Sequence, residues 1–333
     1  MSEPLGAVPG RAAGQEPSGV LLRARELLLR PGVLLLLAWL AVCAGFTSLL
    51  PYFLTTQNAL TILNFSAVTF VVSAGFTVAL IGGGIDLSIG SAMMVSGVTA
   101  GTLFLSGVPL WIGLAVGLLT GPLIGFINGL LVTRLRVNPL IATLSMLFVL
   151  RGMGFFFAGS QLRQIRDPGF RFARQLVFGV PTSVYILAIV FVLTFILLRY
   201  TQLGRHLKAL GGNPAAAAQS ALNVDRYRLL LYTICGTYAG TAGILLASVL
   251  GASDPNAGTG REFAVATAVF LGGASLSGGR GSIVGTLIGV VFMTTVANGL
   301  TQLGALPETV LIVSGLLLIA AVAIDQRPKG GYR

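Results

Sequence analysis

The chain has 333 residues, of which 55% are hydrophobic, only 9% are charged and 45 are glycine. A soluble domain carries roughly 25% charged residues, so this composition excludes a soluble globular protein and leaves a membrane protein. The net charge of +11 does not point to nucleic acid, because the basic residues are scattered through short loops between apolar runs, where they orient helices.

Residues 1–32 read as a polar cytoplasmic segment, with Arg23, Arg25 and Arg30 just ahead of the apolar run that begins at Val33. The charged region is too long for a cleaved leader and no small-residue cleavage site follows it, so an uncleaved first helix is predicted. Leu40-Ala41-Val42-Cys43 faintly resembles a lipoprotein signal, but bulky Val42 stands where a small residue is required. Cys43 and Cys235 both fall in apolar runs and read as packing residues rather than as a disulfide or metal pair.

Hydropathy and Gly/Pro punctuation predict an all-α polytopic membrane protein with about ten transmembrane helices in a single membrane domain, residues 33–325. The spans are Val33 to Leu50, Ala59 to Ile81, Leu87 to Leu105, Pro109 to Val132, Pro139 to Ala158, Thr182 to Leu198, Leu229 to Leu250, Phe263 to Leu276, Ile283 to Leu303 and Thr309 to Ile324. With both termini in the cytoplasm, fifteen of the 21 basic residues fall on the inside, as the positive-inside rule requires. A short cytoplasmic tail, 326–333, follows the last span.

Gly82-Gly83-Gly84-Ile85-Asp86-Leu87-Ser88-Ile89-Gly90-Ser91 interrupts the apolar run between the second and third spans. Successive glycines do not hold a helix against their backbone entropy, and Asp86 and Ser88 are natural partners for free amides at the start of the next helix. Irregular backbone at membrane depth survives only where protein or a water-filled cavity covers it, so the break marks a pathway or a packed helix junction. Asp86 is equally a helix cap or a functional carboxylate. Related chemistry recurs as Gly272-Gly273-Ala274-Ser275-Leu276-Ser277-Gly278-Gly279-Arg280-Gly281-Ser282, and corresponding breaks in two halves are a mark of transport folds built from repeats.

Other spans carry neutral polar residues, among them Asn64, Thr69, Ser73, Asn128, Thr143, Ser145, Thr294, Thr295 and Asn298. Such groups suit a neutral polyol better than an ion, although each alone also serves as interhelical glue. Arg151, inside the fifth span, either snorkels or pairs within the bundle. The predicted outer loop Ser160 to Pro181 holds Arg163, Arg166, Arg171 and Arg174, with Arg261 near the neighbouring outer loop. That is where the rule expects few cations, so either the topology differs there, or the loop is simply solvated, or its charge serves a partner.

The cytoplasmic loop, residues 200–228, contains Asn213-Pro214-Ala215-Ala216-Ala217-Ala218-Gln219, a short helix that begins at a first-turn proline with Asn213 as its cap. His206, the only histidine, sits in this loop and is assigned no catalytic or metal role. No phosphate-binding loop exists, since Lys208 precedes Ala209 and Lys329 precedes Gly330. Neither a metal set nor a nucleophile with a base partner is present, so the chain reads as a non-enzyme.

Three motifs together resemble the ribose/xylose-type permease family of ABC sugar importers: Gly83-Gly84-Ile85-Asp86-Leu87-Ser88-Ile89-Gly90-Ser91; Gly211-Gly212-Asn213-Pro214 with Asn223-Val224-Asp225-Arg226; and Gly272-Gly273-Ala274-Ser275-Leu276 with Gly278-Gly279-Arg280-Gly281-Ser282. The similarity runs in order from about Leu54 to Asp325. It implies a permease homodimer or heterodimer in the bacterial inner membrane, an ATP-binding-cassette ATPase subunit beneath it and a periplasmic sugar-binding protein above. ATP and Mg would be bound by the ATPase, leaving this chain without a cofactor or metal. Gly211, Gly212, Asn213, Pro214, Ala217, Asn223 and Asp225 would then belong to the coupling segment. Gly83, Gly84, Asp86 and Ser88, with Asn64, Asn128, Thr143 and Ser145, would shape the pathway or its gate, and the five outer arginines would dock the binding protein. Departures fall in the coupling segment: Ala215 stands where relatives often have Glu, Ala218 where Arg is common and Ala221 where Gly is common. The rival reading is an ion-gradient-driven transporter of a small polar solute. Such a protein normally needs several membrane carboxylates or basic residues, and only Asp86 and Arg151 qualify here.

Overall fold

The computed structural model describes residues 31–325. The tail at 326–333, and all but residues 31 and 32 of the expected N-terminal segment, lie outside the described residues.

An apolar run in lipid has to satisfy its own backbone, and these runs do so as helices. The described residues form α1 (Pro31–Leu49), α2 (Thr56–Ile81), α3 (Ile89–Leu105), α4 (Leu110–Thr133), α5 (Pro139–Ala158), α6 (Thr182–Tyr200), α7 (Gln202–Gly212), α8 (Pro214–Gln219), α9 (Val224–Leu250), α10 (Arg261–Leu271), α11 (Ile283–Gln302) and α12 (Pro307–Asp325). Seven of them, α1, α2, α4, α5, α6, α9 and α11, are long and apolar enough to cross a membrane. At 1.5 Å per residue, α3 is about 25 Å long and α10 about 16 Å, both short of a roughly 30 Å hydrocarbon core. The expected span Phe263 to Leu276 is therefore corrected: α10 stops at Leu271, and Gly272 to Leu276 lie in the break that follows it.

The core is built round α9, which packs against α2, α3 and α4. Glycines make the closest approach possible. In α4, Gly121 and Gly125 face Gly236 and Gly240 of α9 so closely that an added Cβ on any of the four would meet partner backbone at under 3 Å. Small residues spaced four apart let helix backbones touch in lipid, where dispersion and packing replace the hydrophobic effect as the driving force. The middle of α2 is buried on every side, whereas α5, α6 and α12 turn rows of large apolar side chains outward.

Four two-residue strands trim the loops. β1 (Arg163–Gln164) pairs antiparallel with β4 (Ala252–Ser253), and β2 (Leu176–Val177) pairs with β3 (Val180–Pro181). The arginine-rich segment is thereby fastened to the end of α9. Ile165 N–H donates to the Gly251 carbonyl (2.7 Å) and Ala173 N–H to Ser248 Oγ (2.9 Å), with Ile165, Phe170 and Ala173 buried.

Candidate functional site

Helix α2 ends in a glycine stop. Gly83 takes φ +76°, its N–H donates to the Leu80 carbonyl (2.9 Å), and Gly84 N–H donates to the Ala79 carbonyl (2.9 Å). That reverse pair of bonds satisfies the last carbonyls of the helix and requires a left-handed residue, which glycine adopts without a Cβ penalty. Past the stop, Asp86 Oδ1 accepts from Ser88 N–H (2.9 Å) and from Ser88 Oγ (2.6 Å). Asn128 of α4 donates to Ser88 Oγ at 2.8 Å and lies 3.5 Å from both Asp86 oxygens. All three residues are fully buried. Asp86 thus does bind a freed amide, as its sequence position suggests. Ser88 does not: it is helical in conformation, caps nothing with its side chain and spends its hydroxyl proton on Asp86.

The same pocket of polar backbone holds Thr143 of α5 and Tyr232 of α9, each 3.4 Å from the Ile85 carbonyl. Asn128 precedes the end of α4 by five residues and Tyr232 follows the start of α9 by eight, so the cluster lies roughly 8 to 12 Å inside the bundle.

The second break begins with the same bonds. Gly273 takes φ +87°, its N–H donates to the Phe270 carbonyl (2.9 Å), and Ala274 N–H donates to the Val269 carbonyl (3.2 Å). Gly82, Gly83 and Gly84 therefore correspond to Gly272, Gly273 and Ala274. The two breaks also meet, because Gly279 N–H donates to the Ile81 carbonyl at 3.0 Å. Between them sits the end of α7. A Cβ on Gly211 would strike the Ile81 carbonyl, Gly279 N (2.6 Å) and Gly83 N (2.9 Å), and one on Gly278 would strike the Gly211 carbonyl oxygen (2.7 Å) and Gly83 Cα (3.1 Å). Three glycine motifs far apart in sequence form a single backbone-to-backbone joint.

From that joint the chain continues into the rest of the loop. Asn213 closes α7 and opens α8, its Oδ1 accepting from Ala216 N–H (3.0 Å), and Pro214 occupies the first turn. Ala217 is buried. Asn223 caps α9 through Arg226 N–H (3.0 Å), and Asp225 holds Arg136 with two bonds of 3.0 and 3.2 Å. Ala221 takes φ +61°, a left-handed conformation in which glycine is the unstrained choice. The loop is more helical than its short α8 suggests: α7 buries Gly204, Leu207, Leu210 and Gly211 along one face.

The chain matches, over residues 58–322, the family described as branched-chain amino acid transport system / permease component. That match covers well over half of the sequence. The chain belongs to this family. It is 37% identical over 303 residues to the ribose import permease protein of Escherichia coli (strain K12), covering 88% of this chain and 93% of the relative. It is 37% identical over 280 residues to the ribose import permease protein of Bacillus subtilis (strain 168), covering 83% and 87%. It is also 37% identical over 291 residues to the D-allose transport system permease protein of Escherichia coli (strain K12), covering 86% and 88%. No solved structure matches it. The chain is a multi-pass membrane permease component, and its expected role as a transport subunit rather than an enzyme agrees with the family.

Within this permease the remaining expected site residues are dispersed. Asn64 lies away from the break and accepts from Ser183 Oγ at 2.5 Å, joining α2 to the start of α6. Ser145 is exposed on α5. Arg163, Arg166 and Arg174 are exposed, Arg171 lies over Gly251, and Arg261 donates through Nε to the Ala257 carbonyl (2.7 Å). Arg151 pairs with Glu262 at 3.5 Å, which resolves its alternatives in favour of pairing within the bundle. Glu262 itself, only 3% exposed, is not among the residues that the sequence singles out. The hydropathy boundary at Phe263 put it in a loop; its place beside an apolar run was the available signal.

Proposed function

We propose that this permease is the membrane-spanning subunit of an ATP-binding-cassette importer that carries a monosaccharide across the bacterial inner membrane. It works with a second permease subunit, an ATPase pair that binds ATP and Mg, and a periplasmic sugar-binding protein. The glycine joint carries this reading. A push delivered to α7 and α8 reaches the end of α2 and the glycine break that follows α10 through direct backbone contact, with no flexible side chain between to absorb it. The names of the ribose and allose relatives support a sugar, as do the neutral polar groups round Asp86. In this reading α3, α10 and α12 complete a ten-helix arrangement with both termini in the cytoplasm, supported by the distribution of basic residues.

The test is uptake of radiolabelled ribose into vesicles holding the permease, its ATPase and its binding protein. ATP-dependent uptake that persists after ionophores collapse every ion gradient is the expected result; uptake that stops with the gradient overturns it in favour of a secondary transporter. Deleting Asn213 to Leu222 should also release the ATPase from the detergent-solubilised complex.

The docking of the binding protein falls to the opposite end, where Arg163, Arg166 and Arg174 are exposed on a segment held by β1 and β4. Attraction between such cations and an acidic partner acts over a Debye length of about 8 Å at physiological salt and grows as salt is lowered. Replacing Arg163, Arg166, Arg171 and Arg174 by Gln should therefore slow docking most at low salt and leave ATPase assembly unchanged. Equal docking rates for both proteins across a salt series would show that the segment is merely solvated.

A further inference from the structure

Two of the short helices begin against each other inside the bundle. The first turn of α3 and the first turn of α10 abut at Gly90: a Cβ there would meet the Gly258 carbonyl oxygen (2.9 Å), Glu262 N (3.2 Å) and Glu262 Oε2. Neither helix is long enough to span, so both amino-terminal ends lie at depth, where their unpaired N–H groups and aligned peptide dipoles favour negative charge. Glu262 supplies that charge. Its Oε1 faces Arg151, but its Oε2, on a side chain 97% withdrawn from solvent, has no hydrogen-bond partner among the described residues, and neither has the buried Oγ of Ser91, the residue after Gly90 in the first turn of α3. A buried carboxylate oxygen and a buried hydroxyl left unpaired are costly, and such groups persist where a transient partner uses them. Arg151 keeps 28% of its side chain accessible, and its one 3.5 Å contact among the described residues leaves other guanidinium donors available.

We propose that this junction is a transit site for the hydroxyl groups of a neutral polyol, resting on the reading of the chain as a sugar permease. As α3 and α10 part, Glu262 Oε2 and Ser91 Oγ accept from sugar hydroxyls while Arg151 donates to a hydroxyl or ring oxygen. A fixed acceptor set of this kind discriminates between a sugar and its deoxy analogue, because the analogue leaves the acceptors bare. At the inner break Asp86 and Ser88 are already paired with each other and with Asn128 Nδ2, leaving Asn128 Oδ1 as the one bare acceptor of those three residues, whereas the Glu262 junction offers a bare carboxylate oxygen beside a guanidinium.

The experiment compares initial rates of ATP-driven uptake of ribose and of its single-deoxy analogues by the reconstituted complex, for wild type, Glu262→Gln, Arg151→Lys and Ser91→Ala. Wild-type uptake is scored first: its absence overturns the sugar reading and this site with it. Given that uptake, the variants should lower the maximal ribose rate by about tenfold and shift the ribose-to-deoxyribose ratio by at least about threefold, with KM, set by the binding protein, unmoved. Ser91→Ala removes one hydroxyl from a packed turn and keeps the test open if a charge variant fails to assemble. Rates that fall equally for every sugar, leaving the ratio unchanged in all three variants, would show Arg151 and Glu262 to be a structural ion pair only and would overturn the site.

Discussion

The two helix breaks start alike and end differently. Each closes its helix with a left-handed glycine and the same reverse pair of hydrogen bonds. After that, the first turns inward: Gly84, Asp86 and Ser88 are buried under α4, α5 and α9. The second stays near the surface, with Gly273, Leu276, Ser277 and Arg280 exposed, and its carboxylate partner comes from another helix, Asp325 of α12, which accepts from Ser275 Oγ (3.1 Å) and Leu276 N–H (3.3 Å). One backbone device therefore serves two ends. The inner break fixes a polar cluster at membrane depth, and the outer one ties the bundle's edge to the joint through Gly279. If that division holds, matched substitutions in the two breaks should differ in size and in kind.

The carboxylates should show the largest difference. Asp86→Ala leaves the Ser88 amide and hydroxyl without their acceptor in a fully buried place, while Asn128 keeps its 2.8 Å bond to Ser88 Oγ, a loss of about 1–3 kcal/mol or more for a charged partner. Asp325→Ala removes two bonds at a partly exposed position and should cost roughly 0.5–1.5 kcal/mol. Thermal unfolding of the purified permease in detergent measures both, and vesicle uptake should fall steeply only for Asp86→Ala. Asp86→Asn, which keeps an acceptor for the Ser88 amide, should recover much of the stability. Normal uptake by a folded Asp86→Ala protein would remove the reason for calling the inner break functional.

The joint comes next, and adjacent glycines provide an internal control. Gly211 has backbone on three sides of its missing Cβ, whereas a Cβ on Gly212 meets nothing within 4 Å. Overpacking a tight site costs about 1–3 kcal/mol, so Gly211→Ala should destabilise the permease by that amount and uncouple uptake from ATP hydrolysis, with Gly212→Ala near wild type in both. Equal behaviour of the two variants in ATPase and uptake assays would mean that the three motifs merely lie near one another.

Much of this architecture was legible in the sequence, and for local reasons. Each of the ten apolar runs forms a helix, α2 stops at Gly82 and α8 begins at Pro214 under an Asn213 cap, because span length, left-handed glycine and capping chemistry are all set by neighbouring residues, although α10 stops at Leu271 and not at the expected Leu276. The unread parts depend on contacts distant in sequence. Nothing within Gly278-Gly279 says that its amide will reach Ile81, and nothing in Gly211 says that it will lie against Gly83. Helix α7 was missed although Leu203, Leu207 and Leu210 follow a helical spacing, since Gly204, Gly211 and Gly212 read as loop punctuation. Glu262 was missed because α10 begins within the bundle, a depth that hydropathy does not report. Asn64 and Ser145 joined the candidate pathway on residue type alone, and type does not say which way a helix faces.

The smallest effect is the finest test of how the two breaks differ. Gly83 and Gly273 share a left-handed conformation, φ +76° and +87°, so alanine carries the same intrinsic strain at either, roughly 1–2 kcal/mol. Their surroundings differ: a Cβ on Gly83 would stand 3.1 Å from Gly211 Cα, and one on Gly273 would meet nothing within 4 Å. Gly83→Ala should therefore be the more destabilising of the pair, by a margin of about 1 kcal/mol, toward the low end of overpacking costs. The margin has a further signature. Because Gly83 presses on Gly211, the double variant with Gly211→Ala should depart from additivity, as residues in contact do by about 0.5–3 kcal/mol. Gly273→Ala, which touches neither, should add to Gly211→Ala simply. A mutant cycle on thermal unfolding that gave the same coupling for Gly83 and Gly273 would place the strain in the glycine stops themselves and not in the joint where the inner break meets α7.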